Sequence, residues 1–205
     1  MNIVVIGHYA RRRRAERLAG GLSAHLIMDE VGLGALRAHR QALQWCAGQR
    51  DRCIVMEDDA LPVPGFLPLA EWWLDRFPND LFSGYLGTGR PPQWQRTIAH
   101  MLRNADEMQL SHIALPQLLH GVCYSPPAGK VAALLEAMPI NRPADFAVGE
   151  AWRQVGRRPV VYPVHSLVDH DDGPSVEKHP DGQARTEVRR AWRLAGMGVG
   201  MRDCG

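Results

Sequence analysis

The sequence predicts one α/β domain with a mainly parallel, Rossmann-like central sheet flanked by helices. Short β-branched runs alternate with segments of helical spacing, and glycine-containing loops follow the first runs. The chain has 205 residues, of which 45% are hydrophobic and 22% charged, as is typical of an ordinary globular domain. No repeat or linker divides it, so we predict a single domain over residues 1–205.

The first half of the chain carries the clearest alternation. "NIVVIG", from Asn2 to Gly7, predicts a buried strand that enters a loop. The apolar spacing from Ala15 to Leu22 then predicts a helix. "SAHLIMD" predicts a second strand ending at Asp29, and "ALRAHRQALQWCAGQ" predicts a second helix.

The third predicted strand, "RCIVM", is followed directly by three carboxylates, Glu57, Asp58 and Asp59. Open α/β sheets bind ligands at the carboxyl ends of their strands. Hard divalent cations such as Mg²⁺ and Mn²⁺ prefer carboxylate oxygens. The position therefore favours a metal site, and the alternative is a solvated turn in which an aspartate caps the next segment.

The second half predicts helices in "FLPLAEWWLDRF", "VAALLEAM" and "ADFAVGEAWRQVG". It predicts strands in "LFSGYLGTG", "HGVCYS" and "PVVYPVHSLV". "PPQWQRTIAHMLRNADEMQLS" fits no class well and is a candidate mobile flap. The polar tail over 173–205 either closes over the site or frays.

Composition narrows the cellular context. The apolar runs are far too short to span a bilayer, and the charge near the start follows the apolar stretch, so we predict a cytoplasmic protein without a membrane span. The cysteines, Cys46, Cys53, Cys123 and Cys204, show neither paired nor zinc-like spacing and are interpreted as reduced thiols. A net charge of +2 does not by itself indicate nucleic-acid binding.

A second polar cluster, "HSLVDHDDGPS", follows the last predicted strand and contains His165, Asp169, His170, Asp171 and Asp172. His170 could complete a metal site, and an imidazole ligand suits Mn²⁺ better than Mg²⁺. A polar turn is the alternative interpretation of this cluster too.

Five motifs together resemble the glycosyltransferases of the GT-A fold, particularly the lipopolysaccharide-type and bacteriophage-borne enzymes. The motifs are "DEVG" from Asp29, "AHRQAL" from Ala38, "MEDDALPVPGF" from Met56, "DFAVGEAW" from Asp145 and "SLVDHDDGPS" from Ser166. They occur in the same order and with similar spacing over most of the chain.

The resemblance implies a metal-dependent transfer of sugar from a nucleotide sugar, most simply a UDP-sugar. "EDD" takes the place of the DxD metal motif, with Glu57 and Asp59 as outer acids, although the family often has Asp at the first position. His170 takes the place of a C-terminal ligand to the metal or the diphosphate. The implied cofactor is Mn²⁺ or Mg²⁺.

The donor is expected along the carboxyl ends of the first strands. Asp29 could accept a hydrogen bond from uracil or ribose, and Arg11 could face the phosphates, whereas His39 could equally be a satisfied helix residue. The candidate donor-binding residues are Gly7, His8, Tyr9, Arg11, Asp29, His39, Arg40 and Asp58.

An acceptor hydroxyl needs a general base if attack inverts the anomeric carbon. Asp145 and Glu150 are the candidate catalytic residues, and Asp145 is preferred. The alternative for either residue is an ordinary helix-terminal or surface acid.

Three classes of acceptor are candidates: a hydroxymethylated DNA base, a glycan and a protein. "RRRR", "PPQWQR" and "VRRAWR" offer Arg and Trp for contacts to phosphates and bases. A nucleotidyltransferase or metal-dependent phosphohydrolase is the rival enzyme class, although no Walker-type motif is found in the sequence. A sugar- or nucleotide-binding module without activity is the non-enzymatic rival.

Overall fold

A computed structural model describes residues 1–173 and 188–196. In these residues nine strands form two sheets: β1 (Asn2–His8), β2 (His25–Asp29), β3 (Cys53–Glu57), β4 (Ala60–Pro62), β5 (Leu81–Ser83), β6 (His112–Leu115), β7 (Cys123–Ser125), β8 (Val160–Pro163) and β9 (Val168–His170). The α-helices of the same residues are α1 (Arg12–Leu22), α2 (Ala35–Ala47), α3 (Phe66–Arg76), α4 (Pro92–Glu107), α5 (Val131–Ala137) and α6 (Ala144–Val155). Single 3-10 turns cover Tyr9–Arg11 and Ala128–Lys130.

The large sheet has the strand order β2-β1-β3-β7-β5-β8-β6. The pairs β1–β2, β1–β3 and β5–β8 are parallel. The pairs β3–β7, β5–β7 and β6–β8 are antiparallel. The α/β class is confirmed, but the sheet is mixed, and the prediction of a mainly parallel sheet is not confirmed.

Each antiparallel pair contains β6 or β7. These two strands run in the same direction, against the other strands of the large sheet. A parallel neighbour of β3 would need a crossover, usually a helix, that enters at the amino end of β3. The non-helical segment 116–122 instead reaches the carboxyl end of β3, where the Glu57 N–H donates to the Val122 carbonyl, and β7 runs back along β3 from there.

The helices cover both faces of the large sheet. Buried residues of α2, α4, α5 and α6 pack on one face, around the fully buried Trp152. Buried residues of α1 and α3 pack on the other face, which includes Trp73. Neighbouring strand residues alternate between the two cores, as Val55 and Met56 of β3 do.

The segment considered a candidate flap is helix α4. Ile98, Leu102 and Ala105 are buried along one side of this helix and join the larger core. Their spacing of three and four residues is that of an amphipathic helix. The segment is therefore part of the packed fold.

A two-stranded antiparallel sheet joins the chain's two acidic clusters. In the pairing of β4 with β9, Ala60 is the partner of His170. The Asp171 N–H also donates to the Asp59 carbonyl at 2.9 Å. Two clusters more than a hundred residues apart in sequence thus meet at the end of β3.

Part of the polar tail returns to the body of the protein. The Trp192 N–H donates to the Leu86 carbonyl at 2.9 Å, and the Thr88 N–H donates to the Arg190 carbonyl at 2.7 Å. The rest of the predicted tail, with Cys204, lies outside the described residues. None of the helices in residues 1–173 and 188–196 has the length and apolar character needed to cross a membrane.

A candidate ligand-binding cleft

A cleft of about 180 Å³ opens at the carboxyl ends of β1, β2 and β3. Most of the polar residues singled out from the sequence lie together here. The cleft is lined by Ile6, Gly7, His8, Arg11, Asp29, Gly34, Ala35, Ala38, His39, Glu57, Asp58, Asp59 and Arg189.

Arg11 lies against two of the three consecutive carboxylates. Its Nε is 3.1 Å from Asp58 Oδ1, and its Nη1 donates to Asp59 Oδ2 at 2.7 Å. Asp58 Oδ2 also accepts from the His8 N–H at 2.8 Å. Burial raises the pKa of Asp58, opposed by the His8 hydrogen bond and by the Arg11 charge. Arg11 thus partly neutralises the acidic cluster, which explains how such close charges are held together.

Asp59 is also paired with His170, whose Nε2 lies 3.4 Å from Asp59 Oδ2. Burial by itself would raise the pKa of Asp59, but the hydrogen bond and charge of His170, together with Arg11, hold it well below its ordinary value. Asp59 Oδ1 and His170 Nδ1 are buried and have no hydrogen-bond partner among the described residues. Both are atoms of the kind that ligate Mn²⁺ or Mg²⁺.

Buried polar atoms without partners are rare in folded proteins, and they are concentrated at this end of the sheet. In the described part of the chain, such side-chain atoms belong to Arg11, Arg14, Asp59, His170 and Arg189. Over the same residues, no group of three or more His, Cys, Asp or Glu side chains is placed to hold one ion together.

The third carboxylate, Glu57, is held by a different partner. Its Oε1 lies 2.9 Å from Nε2 of His39, and His39 Nδ1 lies 3.0 Å from the hydroxyl of Tyr124. The His39 side chain is only 1% exposed, whereas that of Glu57 is 30% exposed. Both ring nitrogens of His39 are therefore already engaged within the protein, although its ring lines the cleft.

Asp29 organises the loop that borders the cleft. Its Oδ1 accepts from the N–H groups of Val31 and Gly32, and its Oδ2 accepts from that of Gly34. Burial would raise the pKa of Asp29, but these backbone hydrogen bonds outweigh it and lower the pKa. Gly34 has φ of 95°, a conformation open to glycine, and directly precedes α2.

Arg189 lines the cleft but was not singled out from the sequence. It is carried there by the returning segment 188–196, and its Nε lies 3.5 Å from Asp172 Oδ1. Nearby, Arg14 is paired with Asp171. "VRRAWR" was noted for its positive charge, but periodicity could not reveal which of its arginines reaches the cleft.

Two candidate donor-binding residues do not line the cleft. Arg40 Nη1 lies 3.4 Å from the Leu135 carbonyl and 3.3 Å from the Met138 carbonyl, at the end of α5. These contacts hold α2 against α5. Tyr9 is 51% exposed, and its ring centroid lies 4.3 Å from that of His8. Tyr9 is therefore close to the cleft, whereas Arg40 joins two helices.

The two candidate bases on α6 have different surroundings. Burial raises the pKa of Asp145 to about 6, and the charge of Glu57 adds to this rise. Asp145 Oδ1 accepts from the Phe146 N–H at 2.8 Å. Glu150 instead faces Arg142, whose Nε lies 3.6 Å from its Oε2. Neither residue is among those that line the cleft, and of the two it is Asp145 whose charge interacts with that of Glu57.

The tryptophans proposed for base contacts are part of the fold. Trp94 and Trp192 are partly buried against the larger core. Trp192 Nε1 donates to Gln95 Oε1 at 3.0 Å, which joins the returning segment to α4. Arg193 makes a double hydrogen bond to Asp106. These side chains stabilise the position of residues 188–196.

No known protein family matches the sequence, and no curated protein matches it. Among solved structures, the chain is similar to that of A197 from STIV, with a TM-score of 0.48. The sequence identity is 12%, and the match covers 96% of this chain and 98% of that chain.

Proposed function

We propose that this protein is a glycosyltransferase that moves a sugar from a nucleotide sugar, in the first instance a UDP-sugar, to an acceptor hydroxyl with the help of Mn²⁺ or Mg²⁺. The proposal draws on the GT-A resemblance of the sequence motifs. The observation that carries it is that arginines and acids converge at one strand-end cleft, beside which the buried Asp59 Oδ1 and His170 Nδ1 have no hydrogen-bond partner among the described residues.

The residues present suit a divalent cation. Asp59 Oδ1 and His170 Nδ1 lack partners among the described residues, and the side chain of Glu57 lines the cleft nearby. The GT-A resemblance assigns the ion to Glu57, Asp59 and His170, which in the described residues are not grouped around one point, so ion binding would have to bring these side chains together. When bound, the cation would stabilise the negative charge that develops on the diphosphate leaving group.

The arginines suit the anionic end of the donor. Arg11 and Arg189 line the same cleft, where Arg11 is ion-paired with Asp58 and Asp59 and Arg189 with Asp172. A guanidinium group binds phosphate oxygens through several N–H donors in fixed geometry. In the proposed complex these two residues orient the diphosphate.

Asp145 is the proposed base for the acceptor hydroxyl. A pKa of about 6 leaves it ionised at neutral pH but more basic than an ordinary aspartate. This is the direction expected for a general base, whose efficiency is greatest when its pKa lies near the working pH. Its carboxylate would accept the hydroxyl proton as the oxygen attacks the sugar.

A panel of nucleotide sugars tests the donor, with and without Mn²⁺. We expect a UDP-sugar to raise the midpoint of thermal unfolding only when Mn²⁺ is present. A ligand at 100 times its Kd stabilises the folded state by about 2.7 kcal/mol. If no nucleotide sugar changes the midpoint in either condition, the proposal is wrong.

The released product separates the rival enzyme classes. Glycosyl transfer or donor hydrolysis releases UDP. Transfer of the uridylyl group to another acceptor instead releases sugar 1-phosphate without free UDP, and a phosphohydrolase cleaves the diphosphate to UMP and sugar 1-phosphate. A binding module without activity releases none of these. Chromatography of the nucleotides after incubation with the UDP-sugar and Mn²⁺ therefore identifies the class.

The acceptor is identified by labelled-sugar transfer to hydroxymethylated single-stranded DNA, a surface glycan and a protein extract. Binding to DNA weakens steeply between 50 and 200 mM salt, by about 10³- to 10⁵-fold for 6 to 10 phosphate contacts. A neutral glycan acceptor would show no such salt dependence.

A further inference from the structure

A hydrogen-bonded chain runs from the larger core to the cleft, and its three side chains come from three elements. Val55 pairs with Tyr124 across the antiparallel strands β3 and β7. Glu57, two residues after Val55, lies on the same face of the sheet, because side chains alternate along a strand. His39 of α2 packs on that face and bridges Tyr124 and Glu57.

When Glu57 is ionised and His39 is neutral, the three groups allow a single direction of hydrogen bonding. A carboxylate only accepts, so in that state His39 Nε2 carries the proton that lies between them. In a neutral imidazole Nδ1 then accepts, and the Tyr124 hydroxyl donates to it. Burial raises the pKa of Tyr124 well above its ordinary value, so the phenol keeps its proton.

Only one oxygen of Glu57 is used in this way. Oε1 faces His39, whereas Oε2 makes no hydrogen bond to the described residues. The Glu57 side chain is partly exposed and lines the cleft. Among the described residues the buried chain therefore ends in a carboxylate with one oxygen held by His39 and a second oxygen on a side chain that lines the cleft.

Gly121 leaves the space in which this arrangement fits. A Cβ atom at this position would lie 2.7 Å from Glu57 Oε1 and 2.9 Å from His39 Cε1. The Glu57 N–H also donates to the carbonyl of the neighbouring Val122 at 3.0 Å. Both the side chain and the backbone of Glu57 are thus fixed from the segment that enters β7.

We propose that His39 and Tyr124 are positioning residues that hold Glu57 in place for the ligand of the cleft. His39 holds the carboxylate, and Tyr124 holds His39 in the tautomer that donates to it. This assigns His39 a role different from the direct donor contact predicted from the sequence. The ligand class rests on the proposed function: the cation and diphosphate end of a nucleotide sugar.

The first test does not depend on activity. Nuclear magnetic resonance of the imidazole ¹⁵N atoms distinguishes a protonated from an unprotonated ring nitrogen. In the wild-type protein we expect a protonated Nε2 and an unprotonated Nδ1 for His39. Tyr124→Phe should change the Nδ1 signal, and Glu57→Gln should change the Nε2 signal.

The second test measures UDP binding by calorimetry in the presence of Mn²⁺. Glu57→Gln and Tyr124→Phe should each weaken binding, and the double variant should bind no more weakly than Glu57→Gln alone. A merely structural role for the Tyr124 hydroxyl would lower thermal stability and leave affinity unchanged.

Tyr162→Phe is the matched control. The Tyr162 hydroxyl is buried in the same core, donates to the Gln117 carbonyl and accepts from the Leu119 N–H. Its removal should lower stability without changing UDP affinity or the His39 signals.

The two tests separate this inference from the proposed function. Unchanged His39 signals in both variants overturn the positioning role, whatever UDP does. Additive losses of affinity in the double variant overturn it as well. If the His39 signals change as expected but UDP does not bind the wild-type protein, the positioning role holds and the proposed donor is wrong.

Discussion

Two arginines lie at opposite ends of β3, and their surroundings differ in kind. Arg52, at the amino end, has its guanidinium surrounded by neutral oxygens. Its partners, at 2.7 to 3.3 Å, are the carbonyls of Leu74, Phe77, Asp80 and Ser125 and the hydroxyl of Ser125. Burial lowers the pKa of Arg52 to about 10. Every hydrogen bond here joins one part of the fold to another.

Arg11, at the carboxyl end, faces the carboxylates of Asp58 and Asp59. Although burial would lower the pKa of Arg11, these charges raise it. Asp59 Oδ1 and His170 Nδ1 remain without partners among the described residues. The carboxyl end therefore contains buried polar atoms without a partner in the described residues, whereas at the amino end the Arg52 donors are all bonded to groups of the fold.

Size alone would select the amino end of β3. The cavity beside Arg52 measures about 640 Å³, against about 180 Å³ for the cleft beside Arg11. A binding site is identified by convergent polar groups as well as by volume. The comparison teaches that polar atoms without partners indicate a ligand better than empty space does, and the following predictions test it.

The largest effect is expected at the carboxyl end, from Asp145→Asn. Asparagine keeps the shape of the side chain but cannot accept the acceptor proton. We expect kcat to fall by about 10²- to 10⁴-fold, the usual scale for a positioned base, while donor affinity stays near normal. Transfer kinetics and calorimetry on the same preparation measure the two quantities.

Asp145→Asn should also change how the free energy of unfolding depends on pH. Because the folded protein raises the pKa of Asp145 to about 6, this group favours folding below its unfolded pKa of about 4. That contribution is lost as the pH rises through about 6. The Asn variant should therefore gain stability relative to the wild type between pH 4 and pH 7. A constant difference over this range would contradict the raised pKa.

Arg52→Met should have the next largest effect, on folding alone. Its removal leaves several carbonyls without donors, and each unsatisfied buried group costs roughly 1 to 3 kcal/mol. We expect the free energy of unfolding to fall by about 3 kcal/mol or more, with UDP affinity unchanged in the protein that remains folded. The exposed Arg50→Met is the matched control. If Arg52→Met lowered UDP affinity while Arg50→Met did not, the assignment of a purely structural role to Arg52 would be wrong.

Asp59→Asn should weaken ligand binding, which Arg52→Met leaves unchanged. It removes a ligand charge without changing volume, so the Mn²⁺-dependent part of UDP binding should weaken by at least 10- to 100-fold, the scale seen for residues that support metal sites. Stability should fall as well, because Asp59 is the buried partner of Arg11 and His170, so affinity is measured on protein shown to be folded. Asp51→Asn, at the amino end of β3, is the control. Full metal-dependent affinity in Asp59→Asn would reject the metal assignment.

His170→Ala should have the smallest of these effects. If the two acidic clusters hold one cation, Mn²⁺-supported turnover should fall by about 10-fold. The loss of turnover should exceed the loss of stability. His165→Ala, on the segment before β9, should leave turnover normal. A purely structural turn would give the reverse: normal specific activity and a lower unfolding temperature for His170→Ala.

The first half of the fold was predictable because its signals are local. Strands β1, β2 and β3 are five to seven residues long, and the helical spacing between them implies parallel neighbours. Strands β4, β6 and β9 have only three or four residues and show no usable period. The direction of β7 depends on the end of the sheet at which the chain enters this strand. The hydrophobic pattern of the sequence carries no information about that.

The membership of the site was more predictable than the partners of its side chains. Strand ends identified Gly7, Asp29 and the carboxylates after β3, because a parallel sheet gathers such positions at one edge. Sequence does not record which polar atoms are already satisfied. Arg40 bonds the end of α5, and Glu150 faces Arg142, for reasons that depend on tertiary packing. Arg189 reaches the cleft only through the return of a distant segment.

The reversed direction of β7 has a consequence for engineering the protein. The segment that enters β7 comes close to the cleft at Gly121, where an added Cβ atom would lie 2.7 Å from Glu57 Oε1 and 2.9 Å from His39 Cε1. The segment that leaves β7 runs to the other end of the sheet, where Pro127 and Lys130 line the same cavity as Met1. An insertion or a fluorescent label at the exposed residues 128–130 should therefore leave the cleft intact. A side chain added at Gly121 should disturb it, and Gln117, Leu118 and Leu119 should be kept because they are buried.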